Sequence, residues 1–145
     1  MARSIRQQIL DAIVIELERP IWAMASVFAE EPSAIDQGKW QHPACFVYVS
    51  SNAPLVGDTP DFAINREFWT AEIMVEVIGP SDIEAYMGKV HEAMMTDDTW
   101  GALAFSTERV SASILESDPT REVNTLRFIY RVVYRHADGD PYTAI

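Results

Sequence analysis

Cysteine is nearly absent: Cys45 is the only one in 145 residues. An internal disulfide is therefore impossible, and a thiolate metal cluster within one chain is excluded. No apolar run approaches the ~18 residues of a membrane-spanning helix. A hydrophobic fraction of 48% with a mean hydropathy of -0.04 is ordinary for a globular chain, and no membrane association is expected. The opening Met1-Ala-Arg-Ser-Ile-Arg-Gln-Gln lacks the apolar core and small-residue cleavage site of a secretory leader, so synthesis in the cytosol is expected. Positive charge is also scarce. Eleven Lys and Arg stand against 22 Asp and Glu, a net charge of -11, with the acids spread along the chain rather than gathered in a tail. Binding nucleic acid through its phosphates needs clustered cations that release counterions, and this chain would repel the phosphates instead.

The residues of catalysis and cofactor binding are equally thin. His42, His91 and His136 have no second ligand at a recognised metal spacing, and Asp138-Gly139-Asp140 lacks the remaining positions of a calcium loop. There is no Gly-x-Ser-x-Gly elbow, and Cys45 sits among apolar neighbours as a core residue. Glu30-Glu31 and Asp97-Asp98 are adjacent pairs, which rarely converge on one substrate atom. Gly79, Gly88, Gly101 and Gly139 are too scattered to cradle a phosphate. Trp22, Trp40, Trp69 and Trp100 lack interleaved basic residues and read as core or interface groups. No catalytic, cofactor or metal residue is assigned, and a non-enzymatic role is expected.

What is present reads as one domain over 1–145, a length at which roughly 70% of the unfolded surface can be buried. Ser4 with Gln7 marks a helix start, and Ile5, Ile9, Ile13 and Leu17 give one apolar face up to Glu18, closed by Arg19-Pro20. Trp22, Met24 and Val27 point to a short extended stretch. Ala44 to Ser50 is a strand, and Ser51 to Asn65, rich in Pro, Gly and Asp, reads as a long loop. Such a loop is either a binding loop or a hairpin connection. Arg66 to Ile78 alternates, with Trp69, Ala71, Ile73, Val75 and Val77 on one face. After Gly79-Pro80, Ser81 with Glu84 forms a second capping pair. Ile83, Tyr86, Met87, Val90 and Met94 stripe a helix to about Thr96.

Two strands follow. Phe105 to Glu116 carries Val110, Ala112 and Ile114 on one face; Val123 to His136 carries Leu126, Phe128, Tyr130, Val132 and Tyr134. Asp118-Pro119-Thr120 joins them as an antiparallel hairpin, and 137–141 ends regular structure before a short tail. The expected class is α+β: an antiparallel sheet of about four strands with two helices on one face, in the order α-β-β-(β)-α-β-β.

The outer faces of the two long strands stand out. Glu72 and Glu76 on one, and Arg127, Arg131 and Arg135 on the other, alternate with Met74, Ile129 and Val133. They suit either cross-strand pairs within one chain or a subunit interface.

The phrase Asp97-Asp98-Thr99-Trp100-Gly101-Ala102-Leu103-Ala104 lies between the Met94-Met95 helix and the strand with Val110. With the aromatic strand Leu126-Arg-Phe-Ile-Tyr-Arg-Val-Val-Tyr134 and the ending Asp140-Pro141-Tyr142-Thr143-Ala144, it resembles the tail terminator, or minor tail, proteins of long-tailed bacteriophages and prophages. The resemblance implies a non-enzymatic virion subunit without cofactor. It would assemble as a six-membered ring at the head-proximal end of the tail tube, end tube polymerisation and offer a docking surface to the head connector. Implied partners are further copies of the chain, the tail tube protein and a connector or stopper. DNA would pass through a negatively charged lumen without specific binding. Asn52, Leu55, Val56, Asp58 and Phe62 of the 51–66 loop, with Asp140 and Tyr142 of the 138–145 tail, are the expected partner contacts. A head-tail stopper is the nearest alternative, and a small-molecule-binding α+β domain a more distant one.

Overall fold

The computed structural model describes residues 4–54, 66–80, 84–114, 123–137 and 140–144. Helix α1 spans Ile5–Leu17. It starts where Ser4, in extended geometry, accepts the Gln7 N–H on its hydroxyl, and it stops before Pro20. Its buried residues, Ile5, Ile9, Ile13 and Leu17, are the expected stripe. Trp22 is not extended; it closes a single 3-10 turn, Pro20–Trp22, and donates its indole N–H to Glu16 at 2.8 Å.

The strands are β1 (Ser26–Phe28), β2 (Ala44–Pro54), β3 (Arg66–Pro80), β4 (Ser106–Ile114), β5 (Val123–Ala137) and β6 (Asp140–Ala144), with helix α2 (Ala85–Met95) between β3 and β4. Five strands lie side by side in the order β1-β2-β3-β5-β4, and β6 joins β5. The class is α+β as expected. The sheet is larger than four strands, and it is mixed rather than antiparallel because β1 runs parallel to β2. β5 is the hub. β3 pairs along one of its edges from Val123 to Ala137, and the other edge is shared by β4, up to Val133, and β6, from His136.

Both helices bury into one face of the sheet. Val90, Ala93 and Met94 of α2 join the α1 stripe and, from the strands, Cys45, Val47, Ala71, Ile73, Val75, Val77, Leu126, Phe128, Tyr130, Val132 and Tyr134. The alternation read from β3 and β5 holds residue for residue.

Four readings change. β2 continues through Pro54, with a register shift at Ser50, so Asn52 is a strand residue and not part of a loop. Its side chain accepts the Tyr134 hydroxyl at 2.8 Å, an internal contact. Leu55, Val56, Asp58 and Phe62 lie outside the described residues. Asp140 and Tyr142 belong to β6, which pairs with β5, rather than to a free tail, while 138 and 139 lie outside the described residues. α2 begins after Glu84, with no side-chain cap, while Ser81 and Ile83 lie outside the described residues. Val110 is the extra residue of a bulge between Arg109 and Ser111 and is 45% exposed, whereas Ala112 and Ile114 pack on the core. One inserted residue breaks the two-residue period that a sequence reading assumes.

Candidate interaction surfaces

Pairing β3, β5 and β4 in this register aligns their outer residues into rows. Glu76 faces Arg127, Met74 faces Ile129, Glu72 faces Arg131, Thr70 faces Val133 and Phe68 faces Arg135. On the far side of β5, Ser113, Ser111, Glu108 and Ser106 continue the rows. The topology thus brings all five charged residues singled out above, Glu72, Glu76, Arg127, Arg131 and Arg135, onto one face, the one both helices leave open.

Along that face the charges differ in kind. Glu76 is buried, 4% exposed, and accepts from Arg127 Nε at 2.8 Å, Arg127 Nη2 at 2.7 Å and the Tyr48 hydroxyl at 3.1 Å. All three donors converge on one carboxylate oxygen, Glu76 Oε1, and tie β2, β3 and β5 together at this register. Tyr48 is held in its neutral form, its pKa pushed up to about 12 by burial first and then by the Glu76 charge. Arg131 pairs with Glu108 at 2.9 Å rather than with Glu72, and both ends of that bridge are well exposed. Such a pair contributes under ~1 kcal/mol. Glu72 accepts the Ser51 hydroxyl at 3.4 Å.

Arg135 stands between two rings, 5.6 Å from the centre of Phe68 and 5.9 Å from that of Phe105, which meet edge to face. Phe105 is 59% exposed. Neither phenylalanine was singled out in the sequence. Phe68 was legible, since it shares parity with Thr70 and Glu72. Phe105 was not, because it precedes β4 and is aligned only by its N–H bond to Val133. The β2 end of the outer face is covered: Phe46 stacks on Phe28 at 5.3 Å and meets Trp40 at 4.7 Å.

The phrase 97–104 is a knot of local hydrogen bonds. The Asp97 carboxylate accepts from the Thr99 hydroxyl (2.7 Å), the Gly101 N–H (2.8 Å) and the Thr99 N–H (3.0 Å). These bonds, led by the Thr99 hydroxyl, hold its pKa below the ordinary carboxyl value. Trp100, Gly101 and Ala102 all take positive φ. This reversal buries Trp100 to 5% exposure and aims its indole N–H at Thr107 Oγ1, 2.9 Å away, and that hydroxyl donates in turn to the Asp98 carbonyl. The phrase is a device for joining α2 to β4.

Among the described residues, chemically active groups are not gathered elsewhere. Cys45 is wholly buried and its thiol is pushed up to about 12 by desolvation, so it packs and does not attack. His91 Nδ1 lies 3.3 Å from the Tyr130 hydroxyl, itself pushed up to about 12 by burial. Among the described residues no group of three or more His, Cys, Asp or Glu could hold a metal ion, and no helix is long and apolar enough to cross a membrane.

No family model matches the chain, and no curated protein matches it. Among solved structures it is similar to a chain of the "Virion of native gene transfer agent (GTA) particle", with 10% identity, 90% of each chain covered and a TM-score of 0.45.

Proposed function

We propose that the chain is a non-enzymatic virion subunit of a long-tailed phage or related particle and acts as a tail terminator. The observation that carries the reading is the outer face of β3, β5 and β4. It is a broad, regular surface that neither helix covers, with arginines, aromatic rings and apolar side chains interleaved, the composition of a protein–protein contact. The sequence resemblance supports the specific role, and its most distinctive phrase builds the α2–β4 junction of this chain.

On this reading copies of the chain form a ring at the head-proximal end of the tail tube. One side of the ring meets the tube protein and the other a connector or stopper. Arg131, Arg135 and Glu72 supply contacts on the exposed part of the face, while Glu76 and Arg127 stiffen it from within. Asp140 and Tyr142, carried on β6, lie beside that face's far end on β5. DNA crosses an acidic lumen without being held, because phosphate and carboxylate repel. The protein is made in the host cytoplasm and resides in the virion.

Electron microscopy of tails assembled with and without the protein tests this. A terminator's absence gives tubes of uncontrolled length. Tails of normal length that fail to join filled heads would overturn it in favour of a head-tail stopper.

A further inference from the structure

Among the described residues the strand order ends at β1 on one side and β4 on the other, and these two edges are built differently. At β4 the outward edge carries exposed Glu108 and Arg109 and the bulge at Val110, features that discourage another strand from adding. At the opposite end β1 is three residues long and pairs only with Ala44, Cys45 and Phe46 of β2. From Val47 to Pro54 no described strand lies on the side of β2 away from β3, and no side chain from Val47 to Ala53 is charged. Where a longer β1 would run there is a cavity of about 480 Å³. Tyr48, Val49, Ser50 and Asn52 line it from the strand, and Leu10 and Arg6 from α1.

Arg6 is the one charged residue among the described residues lining this cavity. The first turn of α1, to which it belongs, holds no acidic residue. The amide end of a helix and a guanidinium act with the same sign and favour an anion.

We propose that the Val47–Asn52 edge is a strand-addition site for an extended segment of a partner protein that carries an Asp or Glu side chain towards Arg6. Backbone pairing supplies the adhesion, alternate side chains enter the cavity, and Arg6 selects for the carboxylate. The open run of six residues spans ~20 Å at the usual strand rise, and the bulge at Ser50 keeps the docked segment short. The inference stands on the sheet edge, the cavity beside it and Arg6, and is independent of the tail assignment.

Amide NMR titration of the intact chain tests it with three synthetic probes: an acetylated, amidated Thr-Val-Asp-Val-Thr peptide, its Lys-for-Asp counterpart and its Pro-for-Val counterpart. The expected result is shifts of the Val49 to Asn52 amides with the Asp peptide and binding at least about tenfold weaker for the Lys peptide, a difference of ~1.4 kcal/mol. The Pro peptide, unable to pair, should not bind. Arg6→Gln should remove the preference for Asp over Lys and Arg6→Glu should reverse it, while Arg131→Gln on the other face changes nothing. Equal affinity for the Asp and Lys peptides, shifts confined to β4, or no shift at millimolar peptide would each overturn it.

Discussion

At Asp97 a single carboxylate organises eight residues of chain. It accepts three hydrogen bonds while remaining exposed, and the turn it holds places Trp100 in the core. Removing it with Asp97→Ala should cost about 1 kcal/mol, the scale of losing a capping side chain, measured by urea unfolding. The effect depends on pH with a definite sign. The folded carboxyl has a pKa below the ordinary 3.8, so the unfolded chain takes up its proton first as acid is added. The stability of the parent over Asp97→Asn should therefore be full above pH 3.8 and vanish as pH falls through the lower folded value. A gap that widened in acid would refute this account. The phrase itself was legible in the sequence, but its shape was not. Positive φ at Trp100 and Ala102, neither a glycine, is imposed by the hydrogen bonds and by burial of the indole, which no local propensity records.

Among the elements, α1 and the two long strands could be read directly because their periods are uninterrupted and one face of each is fully buried. Ile13 is 0% exposed and Ile15 is 67% exposed, two residues apart on the same helix. Ile13→Ala should cost about 3 kcal/mol in chemical unfolding, while Ile15→Ser should cost well under ~1 kcal/mol. Comparable losses would mean that the helix packs otherwise. The elements that escaped reading share one cause. Ser51 to Pro54 and Asp140-Pro141 are composed like turns and become strands only because a long neighbour, β3 or β5, offers unpaired backbone groups, whereas the strand around Val110 was read as one and only its facing was lost at the bulge. Of the candidate contact residues, the outer-face set was visible as parity against a known inner face. Asn52 was misplaced because its partner, Tyr134, is 82 residues away.

For the whole molecule, charge sets the terms of self-association. With 22 acids against 11 bases, any two copies repel at long range even where Arg131 or Arg135 meets a carboxylate. Salt screens that repulsion over distances beyond ~8 Å at physiological strength and weakens close, partly buried contacts less. Self-association measured by sedimentation should therefore rise between low and moderate salt, and substituting Arg135→Glu should shift the whole curve towards the monomer. Association that fell steadily with added salt would instead point to an interface held by exposed ion pairs.

The place of β5 has a consequence for how the chain is made. β3, β4 and β6 all pair with it, yet it is made after β3, α2 and β4, so β3 leaves the ribosome with one edge bare and waits for residues 123–137 before its second partner exists. Arg66 cannot meet Ala137 until the 71 residues that follow it have been made. The half-made protein is thus a ribbon of β1, β2 and β3 with an apolar face and an unfilled side, a state in which nascent chains need shielding. The order of translation, no less than the finished sheet, explains why a heavily acidic chain is useful: mutual repulsion keeps unfinished copies apart until each can close on itself.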